Sequence, residues 1–103
     1  MKLRGKQKRF LRAQANHLTP LFSVGKNGLT TAWLDQLDGA LNRRELIKVS
    51  LQQNTDVTTE DVKEMIESQT EIQVIQIIGK TLVLFKQSDH EKQRDLSLKV
   101  AKI

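Results

Sequence analysis

The chain contains no cysteine, so neither a disulfide framework nor a thiolate metal site can form. Histidine is nearly as scarce: His17 falls at a helix end and His90 in the last segment, a spacing that suits neither a metal site nor an acid–base pair. No apolar run approaches the roughly 18 residues a membrane span needs, and Met1–Arg12 is basic without the apolar core of a signal peptide. These absences lead us to expect a cytoplasmic protein with no membrane partner. Acidic residues are missing altogether before Asp35.

Positive charge is what the first half has instead. Met1–Lys48 carries ten Lys and Arg against three acids, and Val49–Ile103 seven against nine, so the formal +5 of the 103 residues sits on one part of the chain. Charge of one sign gathered in this way favours a polyanion or an anionic surface. A length of 103 residues suits a single domain with a modest core.

The periodicities give an order α-β-α-β-α-β-β. Lys6–Leu18 reads as an amphipathic helix with Phe10, Leu11, Gln14 and Leu18 on one side and Lys2, Lys8, Arg9 and Arg12 round the other. Its narrow apolar face suits burial against the domain better than lipid. Thr19-Pro20 ends it and leads into a short strand, Leu21–Val24. Thr31–Arg44 repeats Trp33, Leu34, Leu37, Ala40 and Leu41 at helical spacing, which makes Trp33 a core residue rather than a stacking platform. Glu45–Gln52 is a strand, and Thr58-x-x-Asp61 is a capping box opening a helix to Gln69 that buries Val62, Met65, Ile66 and Gln69. Ile72–Ile78 and Thr81–Lys86 form a hairpin about Gly79-Lys80, with glycine first as a type II′ turn requires. Residues 1–87 are thus expected as the domain, and 88–103 as a flexible charged tail. Parallel strands joined through a helix, in one sheet packed with helices, are the economical architecture.

Between the first strand and second helix stands Val24-Gly25-Lys26-Asn27-Gly28-Leu29-Thr30. A strand, a Gly-x-x-Gly turn and a helix start can present backbone N–H groups to an anion, with Lys26 adding a cation and Asn27 tolerating left-handed backbone. Other motifs fail. Gly79-Lys80-Thr81 imitates the end of a phosphate-binding loop, yet Val74 occupies the position of the required first glycine and a strand follows. The turn at Gly25 lacks the third glycine of a dinucleotide site. No catalytic constellation, cofactor site or small-molecule site emerges, and an enzyme is not expected.

Three blocks resemble the YhbY family, the bacterial stand-alone CRM (chloroplast RNA splicing and ribosome maturation) domains. They are Val24–Thr30, then Ala40-Leu41 leading into Glu45–Val49, then Gln76–Lys86, in unbroken order over about residues 4–87. The resemblance implies an α/β (α+β two-layer) fold with a four-stranded mixed sheet in the order 1-2-4-3, like the C-terminal domain of translation initiation factor 3. It also implies RNA binding, with a link to the assembling large ribosomal subunit, and a glycine loop compared with that of KH domains. Glu71 and Phe85 depart from the family, where Gly and Tyr are usual.

The expected partner is therefore RNA, ribosomal or pre-ribosomal, bound by a monomer without catalysis. Gly25, Lys26, Asn27 and Gly28 would hold phosphates, and Lys2, Arg4, Lys6, Lys8, Arg9 and Arg12 would track the neighbouring backbone. Arg43, Arg44, Lys48 and Lys80 are further candidates. Four aromatics leave little for base stacking, which favours recognition of RNA shape. The rival from another class is a protein-interaction module docking on a ribosomal or RNA-processing protein.

Overall fold

The computed structural model describes residues 1–25 and 29–103. Its elements are α1 (Gly5–Ala15), β1 (Pro20–Val24), α2 (Thr31–Arg44), β2 (Leu46–Leu51), α3 (Thr59–Gln69), β3 (Gln73–Ile78) and β4 (Thr81–Phe85). A 3-10 turn (Glu91–Gln93) and a final helix, α4 (Leu96–Ala101), follow. The four strands form one sheet in the order β1-β2-β4-β3. β1 and β2 are parallel, while β4 lies antiparallel to both its neighbours. The order and the reversed last strand are those implied by the sequence resemblance.

Local chemistry explains the boundaries. Thr30 caps α2 by accepting the Trp33 N–H at 3.0 Å. Thr58 and Asp61 form the expected reciprocal box, at 3.1 and 2.9 Å, which satisfies two N–H groups that would otherwise lack partners at the start of α3. Gly79 takes φ 57 between the paired Ile78 and Thr81, and Lys80 does not share the positive φ, in keeping with a type II′ turn.

Strand alternation divides the core in two. Ile47, Val49, Leu51, Leu82 and Leu84 pack with α2 and α3 through Leu34, Leu37, Leu41, Val62 and Ile66. Leu46, Val83, Phe85 and Ile75 face the other way and pack under α1 and α4, against Leu11, Ala15 and Val100. Helices thus cover both faces. In α1 the buried line is Gln7, Leu11 and Ala15, with Phe10 and Leu18 half-buried and Gln14 exposed, so the stripe is rotated from the one expected. Gln7 is buried because its side-chain amide bridges, donating to the Val100 carbonyl at 3.1 Å and accepting the Arg4 N–H at 2.7 Å. Gln69, expected inside, is exposed.

Residues 88–103, expected from the sequence as a flexible charged tail, are instead packed against the domain. The cause is Glu45, which the sequence suggested as the first residue of a strand. It is the C-cap of α2, in left-handed conformation at φ 64, and its side chain is 1% exposed. The carboxylate accepts N–H groups from Ser88 at 2.8 Å and from Asp95 and Ser97 at 3.0 Å each. Burial pushes this carboxyl up, but the hydrogen bonds from Ser97, Ser88 and Asp95 outweigh it and hold it below the ordinary carboxylate range. The stabilisation is complete above the ordinary value of 4.5 and is lost as pH falls through the lower folded-state value.

Glu45→Ala should therefore strip the amides of Ser88 and Ser97, both buried, and of part-buried Asp95 of their acceptor and lower unfolding stability by about 2–4 kcal/mol, measured by urea denaturation at neutral pH. A Glu45→Gln protein should also lose less stability than the parent between neutral pH and pH values below the carboxylate range.

Candidate nucleic-acid interface

The strand directions put the C-terminal ends of β1, β2 and β3 at one end of the sheet, together with the Gly79-Lys80 turn. Two hydrogen bonds tie this end together: Gln52 N–H donates to the Val24 carbonyl at 2.9 Å, and Leu51 N–H to the Lys80 carbonyl at 2.8 Å. Gly25 sits here, at the close of the edge strand β1. The Gln52 side-chain amide donates to the Ser23 hydroxyl at 3.1 Å, and a Cβ on Gly25 would lie 3.0 Å from Gln52 Oε1. A side chain at 25 would only have to displace the end of the exposed Gln52 side chain; among the described residues the glycine with positive φ is Gly79. Lys26, Asn27 and Gly28 lie outside the described residues.

Lys80 is exposed at this same end. Arg43 and Arg44 are not brought to it. They close α2, whose 14 residues at about 1.5 Å each carry them roughly 20 Å from its start. Arg44 instead borders a hollow with Gln14, Leu18, Leu46 and Leu96, beside the last turns of α1 and the start of α4. Lys2, Arg4, Lys6, Lys8 and Arg9 are exposed, and Arg12 is half-buried. Arg4 also donates to the Ile103 carbonyl, so it is partly engaged in holding the chain's last turn.

Lys48 occupies the middle of β2 and is half-buried. By alternation with Leu46 it faces the side that carries α1. It is the single charged residue in all four strands. Charge is therefore divided by the sheet. Over one face lie α1, which has no acid, and Lys48. Over the other, α2 and α3 bear Asp35, Asp38, Glu60, Asp61, Glu64 and Glu67 against Arg43, Arg44 and Lys63, so this side is acidic on balance, with the cations of α2 confined to the far end of that helix. A hollow of about 390 Å³ on that second side is lined by Asp35, Asp38, Glu71 and Asp89, with Lys86 as its cation. A polyanion would be repelled there.

Lys86 was part of the resemblance but not a candidate contact, and its surroundings make it structural. Its side chain is 7% exposed, and the ammonium donates to Asp38 at 2.6 Å, Asp89 at 2.8 Å and Asn42 at 3.2 Å. Burial presses the ammonium pKa down, but Asp38 and Asp89 more than compensate and leave it above the usual lysine range. The bond from Lys86 in turn keeps the Asp89 carboxyl below its ordinary value. Trp33 is half-buried and packs against the core, with its indole N–H enclosed and unpartnered. Among the described residues no group of three or more His, Cys, Asp or Glu side chains could hold a metal, and no helix is long and apolar enough to cross a membrane.

Comparison with known proteins places this geometry. The model of the CRS1 / YhbY (CRM) domain matches residues 3–86. The chain belongs to that family. A Bacillus subtilis relative named probable RNA-binding protein YqeI is 49% identical over 94 residues, covering 91% of this chain and 98% of its own. A Haemophilus influenzae relative named RNA-binding protein is 39% identical over 87 residues, covering 84% and 88%. The solution structure of SAV1595 from Staphylococcus aureus matches with a TM-score of 0.71 at 35% identity, covering 91% of this chain and 98% of that one. The α1, glycine-turn and hairpin segments all fall within the family match; α4 lies beyond it.

Lys86→Met should lower the urea midpoint and let the Asp89 carboxyl titrate nearer to its ordinary value, readable by NMR pH titration of that side chain. The contribution of Lys86 should be present below the ordinary lysine value of 10.5 and disappear as pH rises through its higher folded-state value.

Proposed function

We propose that this CRM-family protein binds RNA without catalysis, and that it serves as an assembly factor for the large ribosomal subunit. The observation that carries the RNA-binding part is the uneven charge on the two sides of the sheet: α1 bears cations and no acid, whereas α2 and α3 together carry six carboxylates against three cations. The names of the relatives support the same partner. In this reading the Gly25–Gly28 turn holds one or two phosphates through backbone N–H groups and Lys26. Lys2, Arg4, Lys6, Lys8, Arg9 and Arg12 follow the adjoining backbone, with Lys48 between these two regions and Lys80 at the glycine end. Arg43 and Arg44 join from the far end of α2, where Arg44 borders α1. Contacts of this kind give affinity and salt sensitivity with little base discrimination. The ribosomal part rests on the family resemblance.

Binding of a mixed-sequence RNA hairpin should weaken steeply with added salt. Lys8→Gln combined with Arg9→Gln should flatten the slope of log K against log salt by about 1.5, with the melting temperature unchanged. Gly28→Asp should abolish RNA binding while the domain stays folded. A protein that ignores RNA but captures a ribosomal protein would instead be an interaction module.

A further inference from the structure

On the α1 side of the sheet, burial changes abruptly along the strands. Near the starts of β1 to β3, Leu46, Ile75, Val83 and Phe85 are sealed beneath α1 and α4. At the glycine end the helix no longer covers the sheet: Ser23 is exposed, Ser50 and Thr81 are half-buried, and Ile78 is 51% exposed. These four belong to a single row. Ser23 pairs with Ser50, Ser50 with Thr81, and Thr81 with Ile78. At about 4.8 Å per strand the three hydroxyls span roughly 10 Å.

We propose that the sugar-phosphate backbone of RNA crosses the sheet along this Ser23–Ser50–Thr81 row, between Gly25 at one end and Lys80 at the other. The proposal rests on the RNA-binding reading above and adds to it a surface made of hydroxyls. Three observations select this occupant. First, no strand carries an Asp or Glu, and the one charged residue of the sheet, Lys48, stands on this face in the pair adjoining the row. The strands of the open patch therefore carry a cation and no carboxylate. Second, Ser23 accepts a hydrogen bond from the Gln52 amide and, among the described residues, its hydroxyl donates to none, so its O–H proton can be directed outward. Third, the row stops at exposed Ile78, an apolar surface against which a ribose or a base edge can rest. Serine and threonine hydroxyls are ordinary donors to phosphate and sugar oxygens, and they carry no base information.

The test is a variant with Ser50→Val and Thr81→Val, since valine retains strand preference and removes both hydroxyls. It should bind the RNA hairpin about tenfold more weakly than the parent at one fixed salt concentration. The slope of log K against log salt should not change, because no cation has been removed. Ser23→Ala, at an exposed position, should weaken binding about threefold while removing one exposed hydrogen bond, that from the Gln52 amide. If the double variant melts like the parent and binds like it, while the Lys8 and Arg9 variant is weakened, the hydroxyl row is overturned and RNA binding by the cations stands. Should the double variant melt lower, Ser23→Ala decides, and parental affinity there overturns the row. A parent protein that does not bind the hairpin at all removes the RNA-binding reading and this inference with it.

Discussion

A single carboxylate holds the ends of the architecture together. Glu45 stands where α2 must stop and β2 must begin, in a left-handed conformation that glycine would adopt without penalty and that costs other residues of order 1–3 kcal/mol. Glycine has no side chain to satisfy the amides of Ser88, Asp95 and Ser97. With Glu45 in place, the segment after β4 is drawn across the α1 side and α4 begins with its first amides paired. Val100 can then fill the cluster formed by Leu11, Leu46 and Phe85, and Gln7 of α1 can reach its carbonyl. The Lys86 ammonium, bridging Asp38 on α2 and Asp89 on the same returning segment, fixes the second point of attachment.

That attachment shapes the surface as well as the core. By seating α1 and α4 over Leu46, Val83 and Phe85, it leaves uncovered the part of the face next to Gly25 and Lys80. The sheet then separates charge: cations of α1 on one side, the acidic groups of α2 and α3 on the other. A nucleic acid approaching at random meets attraction over α1 and repulsion over the carboxylates of α3 and the start of α2, which orients the encounter before any short-range contact forms.

Much of the fold was legible in the sequence because its signals are local. Thr58 and Asp61 announce a capping box three residues apart, Gly79-Lys80 announces a hairpin, and α2 shows its buried stripe without interruption. The family blocks supplied the sheet order that periodicity alone could not. The last segment was illegible for the opposite reason: its anchor, Glu45, lies 43 to 52 residues away from the amides that it satisfies. A charged residue between a helix and a strand looks like a solvated junction, and Lys, Asp and Glu in 88–103 look like a solvated tail. The rotation of the α1 stripe has the same origin, since Gln7 is buried only because Val100 is there to receive its amide. Of the candidate contacts, the sequence grouped Arg43 and Arg44 with the rest by charge, whereas the length of α2 sets them at the other end of the sheet from Gly25. The hydroxyl row was invisible for want of register: Ser23, Ser50 and Thr81 become neighbours only once β1, β2 and β4 are aligned.

The long reach of Glu45 also has a consequence for synthesis. While the chain is being made from its N-terminus, β1, α2 and β2 can emerge and pair, yet the carboxylate at 45 has no amides to meet until residues near 97 have left the ribosome. Until then Phe85, Leu46 and the underside of α1 lack their cover, and the left-handed junction is uncompensated. Closure of the α1 side is thus deferred until α4 has emerged, a built-in order of events in which that side stays loose until residues near 97 are available.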